Sequence, residues 1–139
     1  MKKIQVDANA QSLDTVLEFV KGQLKSIGAS DRDLKKMHMV IDEIFTNISN
    51  YAYKDSGTVE VITDYEQESC IFSLIFQDDG EPFDPLSVKG PDTSLSAKER
   101  GLGGLGIMMV KNTMDEIFYE NRDGKNVLTL KKRIGGEHA

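Results

Sequence analysis

Two short joins between strand-like runs constrain the fold of this chain more than any other feature. Thr58 to Asp64 and Ser69 to Gln77 read as strands, and only Tyr65-Glu66-Gln67-Glu68 separates them. Glu116 to Glu120 and Lys125 to Arg133 repeat the arrangement around Asn121-Arg122-Asp123-Gly124, whose Asp-Gly favours a tight hairpin. Parallel neighbours need a crossover of about a dozen residues or more. Neither join has that length, so each pair is expected to be antiparallel and a doubly wound parallel sheet is disfavoured.

Helical periodicity fills the space between the strands. After a short strand at Ile4 to Val6, the residues Leu13, Val16, Leu17, Val20 and Leu24 recur at helical spacing, with Ser12 as N-cap and Gly28 as stop. Ser30-Asp31-Arg32-Asp33 resembles a capping box, with Asp where Glu is usual. It opens a second helix whose stripe of Leu34, Met37, Ile41, Ile44 and Ile48 reaches about Tyr51. Gly106 to Met114 is expected to be a third helix. These elements predict an α+β two-layer sandwich, a mixed and mostly antiparallel sheet with its helices on one face. The 139 residues suit one domain over 1–139, with a long loop at 84–103 and a frayed tail at 135–139.

Composition excludes several function classes. At 39% hydrophobic and 29% charged residues the chain is expected to be soluble and globular. No apolar run approaches a membrane span and no signal-peptide pattern follows Met-Lys-Lys, so cytoplasmic residence is expected. A net charge of −6 argues against a nucleic-acid surface, and Lys131-Lys132-Arg133 is expected to be a solvated strand edge. The single cysteine, Cys70, falls in an apolar run and is expected to be a buried, inert thiol.

Three blocks carry residues suited to chemistry. Glu43 and Asn47 stand four apart on the second helix, on one face beside the apolar stripe. Such a pair can share a hard cation, the carboxylate can accept a proton, or both can be solvated flank residues. Asp78-Asp79-Gly80 closes the strand ending at Gln77. Its carboxylate can accept from an exocyclic amine while Gly80 admits a flat ring, or the three can form a plain turn. Arg100 to Gly106 holds four glycines in seven residues and runs into a helix. Convergent N–H groups there suit an anion, with Lys98 and Arg100 as phosphate ligands, although a flexible hinge has the same composition. Neither the P-loop nor the dinucleotide fingerprint is present.

Glu43-Ile-Phe-Thr-Asn47, Asp78-Asp-Gly80 and Gly104-Leu-Gly106 together resemble the ATP-site boxes of the superfamily that unites DNA gyrase B, MutL, heat-shock chaperones and histidine kinases. Within it, Glu43 to Tyr53, Glu99-Arg-Gly-Leu-Gly and Met108 to Ile117 resemble the small anti-sigma factor serine kinases. The resemblance spans nearly the whole chain. It implies ATP and Mg²⁺ as cofactors, with Asn47 on the cation, Asp78 on the adenine amine and Gly80 beside the base. Gly101, Gly103, Gly104 and Gly106 would wrap the triphosphate, and Glu43 would take the proton from a serine hydroxyl. The implied partners are a sigma factor and an antagonist protein phosphorylated on serine, with a homodimer as the common assembly. Three positions depart from the pattern. Tyr51 replaces a frequent histidine, and Asn126 stands where a late-strand threonine usually supports the adenine contact. Glu81-Pro-Phe-Asp-Pro85 follows Gly80 in place of Gly-x-Gly-Ile.

Two other functions are compatible with the same boxes. One is a catalytic module of a histidine kinase without its dimerisation helices. Only His38 and His138 are present, and His38-Met-Val-Ile lacks the context of a phospho-acceptor. The other is a non-catalytic module in which ATP only shapes a partner surface. The loop at 84–103 is expected to be mobile without nucleotide and to close over phosphates with it.

Overall fold

A computed structural model describes residues 1–51, 57–86 and 103–135 of the chain. The elements follow in the order β1 (Lys2–Asp7), a 3₁₀ turn (Ala10–Ser12), α1 (Leu13–Ser26), α2 (Asp31–Tyr51), β2 (Thr58–Glu66), β3 (Ile71–Asp78), α3 (Gly103–Thr113), β4 (Glu116–Arg122) and β5 (Lys125–Arg133). The strands form one sheet in the order β1-β2-β3-β5-β4. All four pairings among the described residues are antiparallel, so the expected sheet stands without a parallel component.

One face of the sheet carries the core. Val59 and Val61 of β2, Phe72, Leu74 and Phe76 of β3, and Leu128 and Leu130 of β5 are buried at alternate positions. The stripe of α2 fills the opposite wall, with Met37, Ile41, Ile44 and Ile48 buried as expected and Val40 and Phe45 widening it. Val16, Leu17, Val20 and Leu24 of α1 and Ile107, Val110 and Met114 at α3 complete the layer. At about 25 cal/mol per Å² of apolar surface, each fully buried Leu, Ile or Phe contributes roughly 1.5–3 kcal/mol.

Local chemistry explains where elements start and stop. Ser30 caps α2, its Oγ accepting from the Asp33 N–H at 3.1 Å. Ser12 stands at the N-cap of α1 as expected, but its side chain makes no capping hydrogen bond, because a 3₁₀ turn precedes the helix and Asn9 Oδ1 accepts from Ser12 N at 3.2 Å. Gly28 takes φ +82 just past α1, the left-handed conformation that ends a helix without a Cβ clash. Asp123 and Gly124, at φ 54 and 79, form the two-residue turn of the β4–β5 hairpin, flanked by the pair Arg122↔Lys125.

The β2–β3 hairpin turns later than expected. Its ladder continues through Tyr65↔Phe72 to Glu66↔Ile71, which moves the turn to residues 67–70. Cys70 therefore sits in that turn with φ 61, half-buried, and not in a strand. β5 is an inner strand between β3 and β4, but β4 pairs only as far as Lys131, so Lys132 and Arg133 at the end of the strand pair with β3 alone. Lys132 Nζ donates to Thr113 O at 3.2 Å and closes the C-terminus of α3, where a cation is favoured.

Candidate nucleotide site

The α2 half of the site is built from one helical turn. Its 3.6-residue period puts Glu43 and Asn47 on the flank beside the buried stripe. Asn47 is 5% exposed, and its Nδ2 donates to Pro85 O at 3.3 Å. Glu43 is half-buried, and its Oε1 meets no hydrogen-bond partner among the described residues. Burial pushes the Glu43 carboxyl above the usual carboxylate range, the neighbouring Asp42 charge adds to the rise, and the Asn47 side chain opposes it. An amide that favours the carboxylate form does so through its NH₂ group. Asn47 Nδ2 donates to Pro85 O, the Asn47 side chain lies near enough to favour the Glu43 carboxylate, and among the described residues no donor meets Asn47 Oδ1.

Glu43 also contacts α3. A Cβ built on Gly106 would stand 2.5 Å from each Glu43 carboxylate oxygen, so only glycine lets this helix lie so close to the acid. Helix α3 begins at Gly103, three residues earlier than its sequence pattern indicated. Gly103, Gly104 and Gly106 consequently occupy its first turn, where unpaired N–H groups and the helix dipole favour an anion. Arg100, Gly101 and Lys98 lie outside the described residues, as do residues 87–102 of the expected loop and 136–139 of the expected tail.

The sheet half lies at the end of β3. Asp78 is 5% exposed, paired in register with Asn126 of β5. Its Oδ1 accepts from Gly80 N at 2.9 Å and from Asn126 Nδ2 at 3.0 Å. The first of these folds Asp78-Asp79-Gly80 into an Asx turn. Asn126 also donates to Glu81 O at 2.9 Å and accepts from Phe83 N at 3.1 Å. The segment after Gly80 is thereby strapped to the sheet by Asn126 and to α2 by Asn47. The glycine-poor Glu81-Pro-Phe-Asp-Pro85 run thus has a framework of its own.

The structure brings Asp78, Gly80 and Asn126 together at one end of the sheet, and Glu43, Asn47 and Gly106 together where α2 meets α3. Periodicity and spacing alone did not disclose Tyr119 and Asn121, which donate to Asn126 Oδ1, the second at 3.2 Å. One signal was available. Tyr119 lies two residues after the apolar Ile117, on the inward face of a strand where a phenol needs a polar partner. Among the described residues no cluster of three or more His, Cys, Asp or Glu could hold a metal. A cation here would need one protein ligand plus oxygens supplied by a nucleotide, the arrangement Mg²⁺ prefers. Asn47 Oδ1 suits that role, and the acceptors at Asp78 suit an adenine amine. No described helix is long and apolar enough to cross a membrane.

Known proteins resemble this chain in sequence and in fold. The model of the histidine kinase-like ATPase domain matches residues 6–132. The chain is 25% identical over 134 residues to a serine-protein kinase RsbW of Staphylococcus aureus, covering 93% of this chain and 84% of that one. Among solved structures, a blue-light activated histidine kinase of Erythrobacter litoralis is 15% identical with a TM-score of 0.56, covering 79% of this chain but 33% of its own. The catalytic domain of histidine kinase ThkA is 12% identical with a TM-score of 0.52, covering 96% and 98%. At these identities the structural likeness speaks for the fold, while the domain match spans most of the chain. This chain belongs to the histidine kinase-like ATPase domain family.

Proposed function

We propose that this chain is a protein-serine kinase that uses Mg²⁺-ATP to phosphorylate an antagonist protein and that also holds a sigma factor. The observation that carries the catalytic part is Glu43. It is a half-buried carboxylate with an unpartnered oxygen and a raised proton affinity, one turn from Asn47 and against the first turn of α3. A base needs such an affinity to take a hydroxyl proton near neutral pH. The similarity to relatives named serine-protein kinase supports serine as the acceptor.

Each side chain has a distinct task. Asp78 accepts from the adenine amine and Gly80 admits the ring. Asn47 Oδ1 would be the protein ligand to Mg²⁺, which would offset phosphate charge, and the N-terminus of α3 at Gly103, Gly104 and Gly106 would favour the phosphates, with Arg100 and Gly101 preceding it in the chain. The bound nucleotide supplies an electrophilic γ-phosphorus and ADP as leaving group. Glu43 takes the serine proton as the hydroxyl oxygen bonds to that phosphorus and the bond to the β–γ bridging oxygen breaks. Sigma-factor binding and a homodimer rest on the resemblance of the three boxes to anti-sigma factor kinases.

Phosphotransfer from labelled ATP to the cognate antagonist tests the reading. Wild type should give phosphoserine, and Glu43→Ala should keep nucleotide binding while losing transfer by on the order of 10²- to 10⁴-fold. ATP binding without transfer to a verified partner would favour a non-catalytic module.

A further inference from the structure

We propose that Tyr119 and Asn121 are positioning residues for base selectivity, fixing the Asn126 amide so that Asp78 presents an acceptor to the purine 6-position. The inference rests on the reading of Asp78 as the adenine contact. It adds a device within this chain that sets which purine the contact accepts.

Asn126 is 3% exposed and carries five hydrogen bonds whose polarity leaves one solution. Three donors converge on its Oδ1: Phe83 N at 3.1 Å, Asn121 Nδ2 at 3.2 Å and the Tyr119 hydroxyl. Two acceptors meet its Nδ2: Glu81 O at 2.9 Å and Asp78 Oδ1 at 3.0 Å. An amide offers two donors and one accepting oxygen, so every contact is matched in this orientation. Rotating it by half a turn would set NH₂ against the Phe83 N–H and oxygen against the Glu81 carbonyl, backbone groups that cannot reverse, and would require the Tyr119 hydroxyl and the Asn121 amide to turn as well. At this depth each unmatched group costs more than an ordinary hydrogen bond returns.

The consequence reaches Asp78 through Nδ2. Asn126 and Gly80 N both occupy Oδ1, and among the described residues no donor occupies Oδ2. The carboxylate is therefore left with an accepting oxygen, which complements a 6-amino group and opposes a 6-oxo group. With the amide reversed, an oxygen would face the Asp78 carboxylate, and the donor that holds its Oδ1 in place would be lost. Tyr119 and Asn121 supply two of the three donors that hold the observed orientation, and both come from β4, the edge strand. The third, Phe83 N, belongs to the strapped segment after Gly80.

The test is the ratio of affinities for ATP and inosine triphosphate, which differ at the 6-position and N1 alone. Titration calorimetry on the full chain would compare wild type, Tyr119→Phe and Asn121→Ala, with thermal unfolding of each. Wild type should prefer ATP. Tyr119→Phe should lower that preference by about three- to tenfold, as expected for one hydrogen bond, and Asn121→Ala by less. Asn121 is exposed, so its truncation leaves the fold intact and keeps the test valid if Tyr119→Phe unfolds. A purely structural role would weaken both nucleotides equally, and an unchanged ratio in both variants overturns the inference while sparing the adenine contact. A wild-type ratio near one overturns the adenine contact and the inference together.

Discussion

Gly106→Ala is the sharpest perturbation of the proposed chemistry, because the three atoms nearest to a new Cβ all belong to Glu43, the proposed base. The new Cβ would stand 2.5 Å from both Glu43 oxygens, whereas ordinary contact begins near 3.4 Å. The atoms it meets are the far end of a flexible side chain, so the acid gives way and the helices stay. Glu43 must then withdraw by on the order of 1 Å, a misplacement that can cost about 10²-fold in rate. Stability should move the other way or not at all. Alanine inside a helix gains up to about 1 kcal/mol over glycine, which offsets the strain of the displaced carboxyl. The assay is phosphotransfer to the antagonist beside thermal unfolding, in wild-type and Glu43→Ala backgrounds. If Gly106 acts by seating Glu43, the substitution should cost about 10²-fold in wild type and nothing further once the carboxyl is gone. Equal losses in both backgrounds would refute the reasoning and assign Gly106 to the phosphates instead.

The remaining expectations concern pH, the cation and the turn. Transfer should fall on acidification with a midpoint above 4.5, since the Glu43 carboxyl is raised from that value and only its ionised form accepts a proton. A raised folded-state value means its stabilising contribution is full below the unfolded pKa and is lost as pH rises through the folded one. Glu43→Gln should therefore leave stability at pH 7 unchanged or improved, as chemical denaturation would show. Asn47→Ala should raise the Mg²⁺ and ATP concentrations needed for half-maximal transfer, because it removes the proposed cation ligand and leaves the proposed proton acceptor in place. Gly124→Ala forces a Cβ into φ 79 in the β4–β5 turn and should cost about 1–2 kcal/mol in unfolding experiments.

How much the sequence disclosed depended on the range over which each determinant acts. Hairpins were legible because Asp123-Gly124 sets its own turn and because the joins are too short for crossovers. The α2 stripe was legible from its period. Features that depend on neighbours were not. Ser12 has the side chain of a cap, yet Asn9 reaches the Ser12 N–H through a 3₁₀ turn that no local rule specifies. Cys70 was placed in a strand because its flanks are apolar, and the Tyr65↔Phe72 ladder decides otherwise. The role of Lys132 required knowing that β4 lies outside β5. In the site, the Glu43/Asn47 spacing and Asp78-Asp-Gly80 were visible as patterns. The bonds of Asn126 to Asp78 and Phe83 join residues some forty positions apart and have no signature in either segment.

The two halves of the site are tied together by the short segment between them. Its Glu81 carbonyl and Phe83 amide bond to Asn126 on β5, and its Pro85 carbonyl accepts from Asn47 on α2. Asn47 therefore has two tasks that its NH₂ and oxygen divide. The donor end anchors the segment, the side chain favours the Glu43 carboxylate, and on the proposed function the acceptor end would serve the cation. A carboxylate at position 47 could bind a cation but could not anchor Pro85 O, and it would add a like charge beside Glu43. An amide meets both demands, so Asn47→Asp should retain cation binding while raising the Glu43 proton affinity further. The acid limb of the transfer rate would then shift to higher pH. A limb that stayed in place would show that Asn47 faces Glu43 in some other way, and the division of labour within this one side chain would fail.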